Sequence, residues 1–320
     1  MSLIVLEPGL QSWLIDAGRP NYRHLGIPCG GPADRASWQL GNALLGNPTN
    51  ALAVEITLHG PVLEALDLTG LVIFGAPFQS WRSGGAAIVP GMTLTLEKGE
   101  RLTVGGTPSA VRGYLCVAGG FIAPARLGSR SAWTPLKAGD ILSCASSRCQ
   151  GRSLPFVNLD QWLSGEDECD AVHLLRVLPG PQRDWFPGSD WQQCLYRVSP
   201  ASNRMGVRLI GPAIPRRAAR ELLSEPVAPG AIQVTHNGQP IILGVDGQSL
   251  GGYPKLAQVI RADLDRIGQL RPGDCVCLQE VTWEAAEAAA ILRRKHLQHW
   301  LRRLQITGSS HVPNVQPGSA

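Results

Sequence analysis

The sequence predicts a mainly β protein built as two halves. Three observations point there. Glycine (37) and proline (25) together approach a fifth of the 320 residues. That excess favours short strands joined by tight turns over a helical bundle. Period-2 alternation of apolar and polar residues recurs on both sides of the middle of the chain, as expected where one strand face is buried. Between these stretches, residues 145–170 are polar and patternless, with Ser146, Ser147, Ser153, Ser164 and the acidic run Glu166-Asp167-Glu168. They read as a linker. The expected division is an N-terminal half over 1–150, a C-terminal half over 171–306, and a disordered tail over 307–320, rich in Gly, Ser and Pro.

In the first half, residues 3–8 and 13–16 read as strands. Gly18-Arg19-Pro20-Asn21 makes a turn, and 26–32 is a Gly/Pro-rich loop. Asp34 is placed to cap a helix over 35–45, because its carboxylate can accept from exposed first-turn N–H groups. Trp38, Leu40, Ala43, Leu44 and Leu45 give that helix one apolar face, and Gly46-Asn47-Pro48 ends it. Strands follow over 52–58, 68–74, 93–96, 102–104 and 112–118. The second half resumes with strands over 173–179, 196–199, 207–211, 232–234, 240–245, 258–260 and 274–279. Asn237-Gly238 predicts a type I′ hairpin turn between two of them. A short helix is expected over 263–270 and a long one over 283–305, rich in Ala, Leu, Arg and Glu.

Apolar residues at 44% and charged residues at 17% exclude a disordered chain. A net charge of +4 is weak for a nucleic-acid binder. Five cations (Arg293, Arg294, Lys295, Arg302, Arg303) crowd the C-terminal helix, where they mark either a solvated face capping the second half or a docking surface. Met1 to Pro8 lacks a basic stretch followed by a long apolar one, so no signal peptide is expected, and no apolar run reaches membrane-spanning length. The eight cysteines form no C-x-x-C pair. They are expected to be mostly buried free thiols in a cytoplasmic protein, with no metal site. His296 and His299 share a helix face and are read as solvated. Walker-type, G-x-S-x-G and H-E-x-x-H motifs are absent.

Two segments stand out by their chemistry. The first runs from Asp16 and Arg19 to Gly30, Gly31 and Asp34. Glycines let backbone N–H groups approach a ligand, and Arg makes bidentate contacts to carboxylate or phosphate. The alternative is a tight turn with an internal Asp16–Arg19 pair. The second holds Gln233, His236, Asp246, Gln248, Tyr253 and Lys255 around a hairpin and a Gly251-Gly252 turn. A Lys and an Asp at a barrel mouth can orient a polar substrate and shift each other's pKa, and amide side chains match urea-like or lactam groups. The alternative is a satisfied turn network. Ser202-Asn203-Arg204-Met205-Gly206 is a lesser candidate, in which Arg204 either meets an anionic group or holds the loop.

These segments belong to an ordered set. It comprises Asp16-x-Gly18-Arg19-Pro20, Gly26-x-Pro28-x-Gly30-Gly31, Gly46-Asn47-Pro48, Glu55-Ile-Thr-Leu58 and Arg112-x-Tyr114. It continues through Gly119-Gly120, Leu127-Gly128-Ser129-Arg130-Ser131, Leu178-Pro-Gly-Pro181 and Ser202-Asn-Arg204-Met205-Gly206. Gly230-x-Ile-Gln233, Gly238-Gln239-Pro240, Asp246-x-Gln248 and Gly251-Gly252-Tyr253-Pro254-Lys255 complete it. The set resembles the carboxyltransferase-domain family, which holds the C subunit of 5-oxoprolinase, KipA-type proteins, allophanate hydrolase subunit 2 and the urea carboxylase carboxyltransferase module. The resemblance implies two linked cyclophilin-like β-barrel halves, subdomains A and B. It implies a hydrolase subunit that opens 5-oxo-L-proline to L-glutamate, with ATP used by the complex at a site the sequence does not place. The implied partners are the KipI-like B subunit of 5-oxoprolinase together with its A subunit. Two further expectations are a carboxyltransferase acting on urea or another small amide, with biotin supplied only by a partner, and a KipA-like regulatory subunit without catalysis of its own. The residues implied for catalysis are Asp246 and Lys255. Those implied for substrate binding are Arg19, Gly30, Gly31, Arg204, Met205, Gln233, His236, Gln248 and Tyr253. Three departures from the family pattern stand out. Ile15 replaces a Gln, Ser249-Leu250 replaces two threonines, and the Gly-rich stretch after Ser131 is missing.

Overall fold

The alternating segments form strands, and the strands sort into two separate cores. A computed structural model describes residues 2–154, 172–187, 190–217 and 221–308. In the first half, one antiparallel sheet has the order β11 (Ile141–Ser143), β1 (Ser2–Glu7), β4 (Val62–Ala65), β9 (Arg101–Val104), β6 (Ser80–Arg82), β7 (Ala87–Ile88). The second has the order β2 (Gln11–Ile15), β3 (Ala53–Thr57), β10 (Arg112–Val117), β5 (Thr69–Gly75), β8 (Leu94–Leu96). Leu3, Val54, Ile56, Leu63 and Leu115, all fully buried, belong to the core these sheets share.

The second half is a closed barrel. Its order is β12 (Val172–Pro179), β19 (Lys255–Val259), β16 (Ala231–Val234), β17 (Pro240–Leu243), β14 (Gly206–Ile210), β13 (Tyr196–Val198), β20 (Cys275–Glu280). The parallel pairing of β20 with β12 closes it. A short ladder of β15 (Glu225–Pro226) and β18 (Leu250–Gly251) lies beside it. Leu175, Ile232, Leu256 and Val276 belong to the barrel's own core. The protein is thus mainly β, with the cyclophilin-like character expected.

α1 (Arg35–Leu44) starts as predicted: Asp34 Oδ1 accepts from the Ser37 N–H at 3.0 Å. Its apolar face covers β5 and β10 through Trp38, Leu40 and Leu44. α2 (Leu264–Ile267) is shorter than expected and follows a 3-10 turn over Arg261–Asp263. α3 (Trp283–Gly308) corrects the picture of a cap on the second half. Ala286 and Ala289 pack on Ile260 and Ala262 of that half. Leu297, Trp300, Leu301 and Leu304 pack on the α1 cluster of the first half, so the helix straps the two together.

Other expectations also change. Gly238 alone takes a positive φ (+77°), and the Thr235 N–H donates to Gln239 O at 3.0 Å. The hairpin therefore uses a type I turn with a left-handed glycine rather than type I′, which needs positive φ at both central residues. β4, β6, β7 and β11 escaped the sequence pattern because runs of two to four residues carry too little alternation. Arg152 O accepts from the Thr93 N–H at 2.8 Å and the Leu154 N–H donates to Gly91 O at 3.0 Å. The start of the expected linker thus lies on the first half, and its remainder from 155 to 171 falls outside the described residues, as does the tail beyond 308. Among the described cysteines only Cys116 and Cys144 are buried; Cys29, Cys149, Cys194, Cys275 and Cys277 are partly exposed, because they sit in loops or on outward strand positions. Among the described residues, no helix is long and apolar enough to cross a membrane.

Candidate functional site between the halves

Where the halves meet, buried charges cross the gap. Glu55 lies within β3, in a run of five buried residues, and is 0% exposed. A carboxylate persists there only with partners. One oxygen accepts from Tyr114 Oη at 2.7 Å and from the Ala33 N–H at 2.9 Å. The other meets the Arg204 guanidinium and, at 3.4 Å, Arg112 Nε. Burial pulls the Glu55 carboxyl up, but Arg204 and Arg112 outweigh it and hold the group below its ordinary range. For Arg204 burial acts downward, yet Glu55 and Asp246 hold the guanidinium above its usual value.

Arg204 thus meets anionic groups, and they belong to the protein. Its Nε donates to Asp246 Oδ2 at 2.6 Å, and Nη2 donates to Asp246 Oδ1 at 3.1 Å and to Gly31 O at 2.8 Å. This bidentate grip fixes Asp246, whose side chain remains 30% exposed. Gly30 takes a left-handed φ of +62° on this wall, which favours glycine. A Cβ there would lie 3.6 Å from Asp246 Oδ1 and 3.9 Å from Arg19 Nη1. The Gly30 N–H also donates to Val245 O of the other half, at 3.1 Å. Arg19, Gly30, Gly31, Arg204 and Asp246 therefore come together.

Asp16 and Arg19 do not hydrogen-bond each other. Both hold the loop that carries the Leu127–Ser131 motif. Asp16 accepts from Ser129 Oγ (2.5 Å), the Arg130 N–H (2.6 Å), Ser131 Oγ (2.7 Å) and the Gly18 N–H (2.9 Å). Burial raises its carboxyl, but these donors together hold it low. Arg19 donates to the carbonyls of Arg126 and Ser131 and lies 4.2 Å over the Trp133 ring. Burial depresses its guanidinium, against Asp16 and Asp246.

A second group gathers on the barrel. β16 and β19 place Gln233 opposite Lys255. The expected Lys255–Asp246 coupling is replaced, since Asp246 is already claimed by Arg204. Lys255 Nζ pairs with Glu225, which also accepts from Gln182 Nε2 at 2.9 Å. The same Gln182 accepts from the Lys255 N–H at 3.0 Å, which seats the lysine at 7% exposure. Gln233 Nε2 donates to Tyr253 O at 3.2 Å. A Cβ on Gly251 would fall 2.6 Å from Gln233 Nε2 and 2.7 Å from Gln248 Nε2, so glycine is what lets both amides converge. His236 meets the Tyr253 ring edge-on at 5.3 Å between centroids. Arg23 reaches from the first half to donate to Val227 O (2.5 Å) and Gln248 O (3.2 Å). Met205 contributes backbone contacts, its side chain being exposed.

Residues 25–280 match the family described as carboxyltransferase domain, subdomain A and B. The chain belongs to this family. It is 33% identical to the C subunit of 5-oxoprolinase from Escherichia coli K12, over 94% of this chain and 98% of that protein. The crystal structure of TTHA0988 superposes with a TM-score of 0.76 at 37% identity, covering 87% of this chain and 56% of that one. The Kluyveromyces lactis urea amidolyase structure gives a TM-score of 0.83 at 28% identity, covering 93% of this chain and 20% of that one. The chain thus spans about half of one solved relative and a fifth of another.

In this carboxyltransferase-domain protein the expected site residues fall into those two groups, and the residues that hold them in place were not among the expected ones. Glu55, Arg112, Tyr114, Gln182 and Glu225 received no role. Glu55 offered one signal: an acid within an otherwise apolar strand must be paired in the fold. Gln182 and Glu225 lie in loops or very short strands and carried none.

Proposed function

We propose that this chain takes the part of the C subunit in an ATP-dependent 5-oxoprolinase, working in the cytoplasm with a KipI-type B subunit plus an A subunit. The observation that carries this is the near-complete coverage in both directions with the Escherichia coli protein, 94% of this chain and 98% of that one. The mouth supplies suitable chemistry. Lactam opening adds water to the carbonyl carbon, breaks the C–N bond, and leaves a carboxylate and an amine. Asp246, held bidentately by Arg204, is positioned to orient the attacking water or accept its proton. Lys255, released from Glu225 by a substrate anion, balances developing charge on oxygen. Gln233 and Gln248 read the amide edge, and Tyr253 with His236 closes over it. Arg19 with Gly30 and Gly31 forms the facing wall. Arg204 acts as a positioning residue, because Nε, Nη1 and Nη2 are all engaged within the protein.

The mouth does not fit ATP: Arg204 and Lys255 are already paired with carboxylates, and the start of α1 is filled by the Asp34 carboxylate. On this reading ATP is handled elsewhere in the complex. The similarity to urea amidolyase favours a second reading, a carboxyltransferase module served by a biotinylated partner. The test mixes this chain with the subunits encoded beside it, 5-oxoproline and ATP, and follows glutamate and ADP. Glutamate that forms only when this chain is present supports the proposal. A stable complex that makes no glutamate favours a regulatory role, and carboxylation of urea by a biotinylated partner favours the second reading.

A further inference from the structure

A separate cleft of about 810 Å3 opens between the halves, walled on one side by α3. Of the residues gathered at the mouth, only Gly30 and Arg204 reach it. Its chemistry is one-sided. Arg35 at the start of α1, Arg261 on the 3-10 turn and Arg294 on α3 line it, and none of the three side chains has an ion pair among the described residues. Asp265 also lines the cleft and joins the start of α1 to α3. Its Oδ1 accepts from the Arg35 N–H at 2.9 Å and its Oδ2 from Arg293 Nη2 at 3.0 Å. Arg261 lies four residues before Asp265, and Arg294 follows Arg293. With Asp265 engaged, Glu287 is the remaining acid in the lining. Arg112 and Arg204 also line the inner wall, where Glu55 and Asp246 balance their charges.

Arg35, Arg261 and Arg294 bring three like charges from three elements to one cavity, where they repel one another, and among the described residues no acid pairs with their side chains. An anion with several acceptor oxygens offsets that repulsion. A carboxylate offers two oxygens and one charge. A phosphate ester offers three oxygens and about −1.5 to −2 charges, which three planar forks can chelate together. Val207, Leu243, Leu264 and Ile291 supply aliphatic wall for a carbon skeleton, and the volume lies in the range of small-molecule sites. We propose that this cleft binds a small organic phosphate, its phosphate held by Arg35, Arg261 and Arg294. The lining contains no aromatic ring, so the body is gripped by aliphatic contact rather than stacking. α3, which completes the cleft, lies outside the family match at residues 25–280. The site stands whether or not the chain acts on a lactam.

Isothermal titration of the full chain with glycerol 3-phosphate, with ATP and with citrate tests this. Saturable one-to-one binding of a phosphate is expected, weakened about tenfold in Arg35→Ala and in Arg294→Ala, and more in Arg294→Glu. Whether glycerol 3-phosphate or ATP binds more tightly separates a simple phosphate ester from a nucleotide, and either supports the site. Three results overturn it: no saturable binding of either phosphate at millimolar concentration, citrate binding as tightly as both, or loss of binding in Arg19→Ala with the cleft variants unaffected. Arg35 and Arg294 are exposed, and an unchanged near-UV circular dichroism spectrum verifies that their variants fold.

Discussion

Asp34 and Glu55 are both buried acids, and their surroundings drive them in opposite directions. Glu55 faces two guanidiniums and stays charged. Asp34 faces Asp265, and burial together with that like charge raises its carboxyl to about 7, against donors from Ser37 and Gln269. Asp34 is protonated in both folded and unfolded chains below its ordinary value of 3.8. The stability it contributes is therefore full at low pH and is lost as pH rises through about 7. The loss is on the order of 4 kcal/mol for a shift of this size. Asp34→Asn should flatten the fall in urea-unfolding stability between pH 4 and pH 8; an unchanged slope contradicts this. Glu55→Gln should cost about 3–5 kcal/mol, because it leaves Arg112 buried without its counter-charge and Arg204 with Asp246 alone. A loss below about 1 kcal/mol in the same experiment would show that the cluster is not held by charge. Asp34 was legible as a helix cap from its place before an apolar stripe. Its raised pKa was not, because Asp265 lies far off in sequence and only the fold brings it near.

At the scale of elements, α3 changes most between sequence and structure. Its composition announced a helix, and its five cations drew attention to the solvated face. The informative residues are Leu297, Trp300, Leu301 and Leu304, spaced at three and four, which seat the helix on α1. Which half they would meet is a tertiary fact that helical spacing does not encode. Leu304 is 8% exposed, and Leu304→Ala should cost about 2–3 kcal/mol, measured by urea unfolding. A neutral result would mean that the last turns of α3 do not strap the halves. Strand boundaries were legible in β3 and β10, but β19 (Lys255–Val259) was expected only over 258–260 and β2 (Gln11–Ile15) only from residue 13. β6, β7 and β11, of two or three residues each, were not read at all.

At the scale of the whole molecule, the halves are joined by paired polar groups. Gln269 Oε1 accepts from the Val111 and Arg112 N–H groups at 3.0 and 2.8 Å, and its Nε2 donates to Asp34 and to Arg112 O. Gln269→Ala removes all of these bonds and should lower the unfolding midpoint by several degrees. An unchanged midpoint would leave α3 and the Glu55 cluster as the joint. The segments that meet here were legible because the expected site residues fall mostly in two compact stretches, Asp16 to Asp34 and Gln233 to Lys255. Their assembly was not, since Arg204 joins them through Glu55 in a third. We propose that Asp246 and Lys255 carry the chemistry. The direct measurement is glutamate formation by the reconstituted complex containing Asp246→Asn or Lys255→Met, each first shown to fold and to bind its partners. We expect kcat to fall about a hundredfold or more in each. Wild-type kcat in both folded variants would contradict the account.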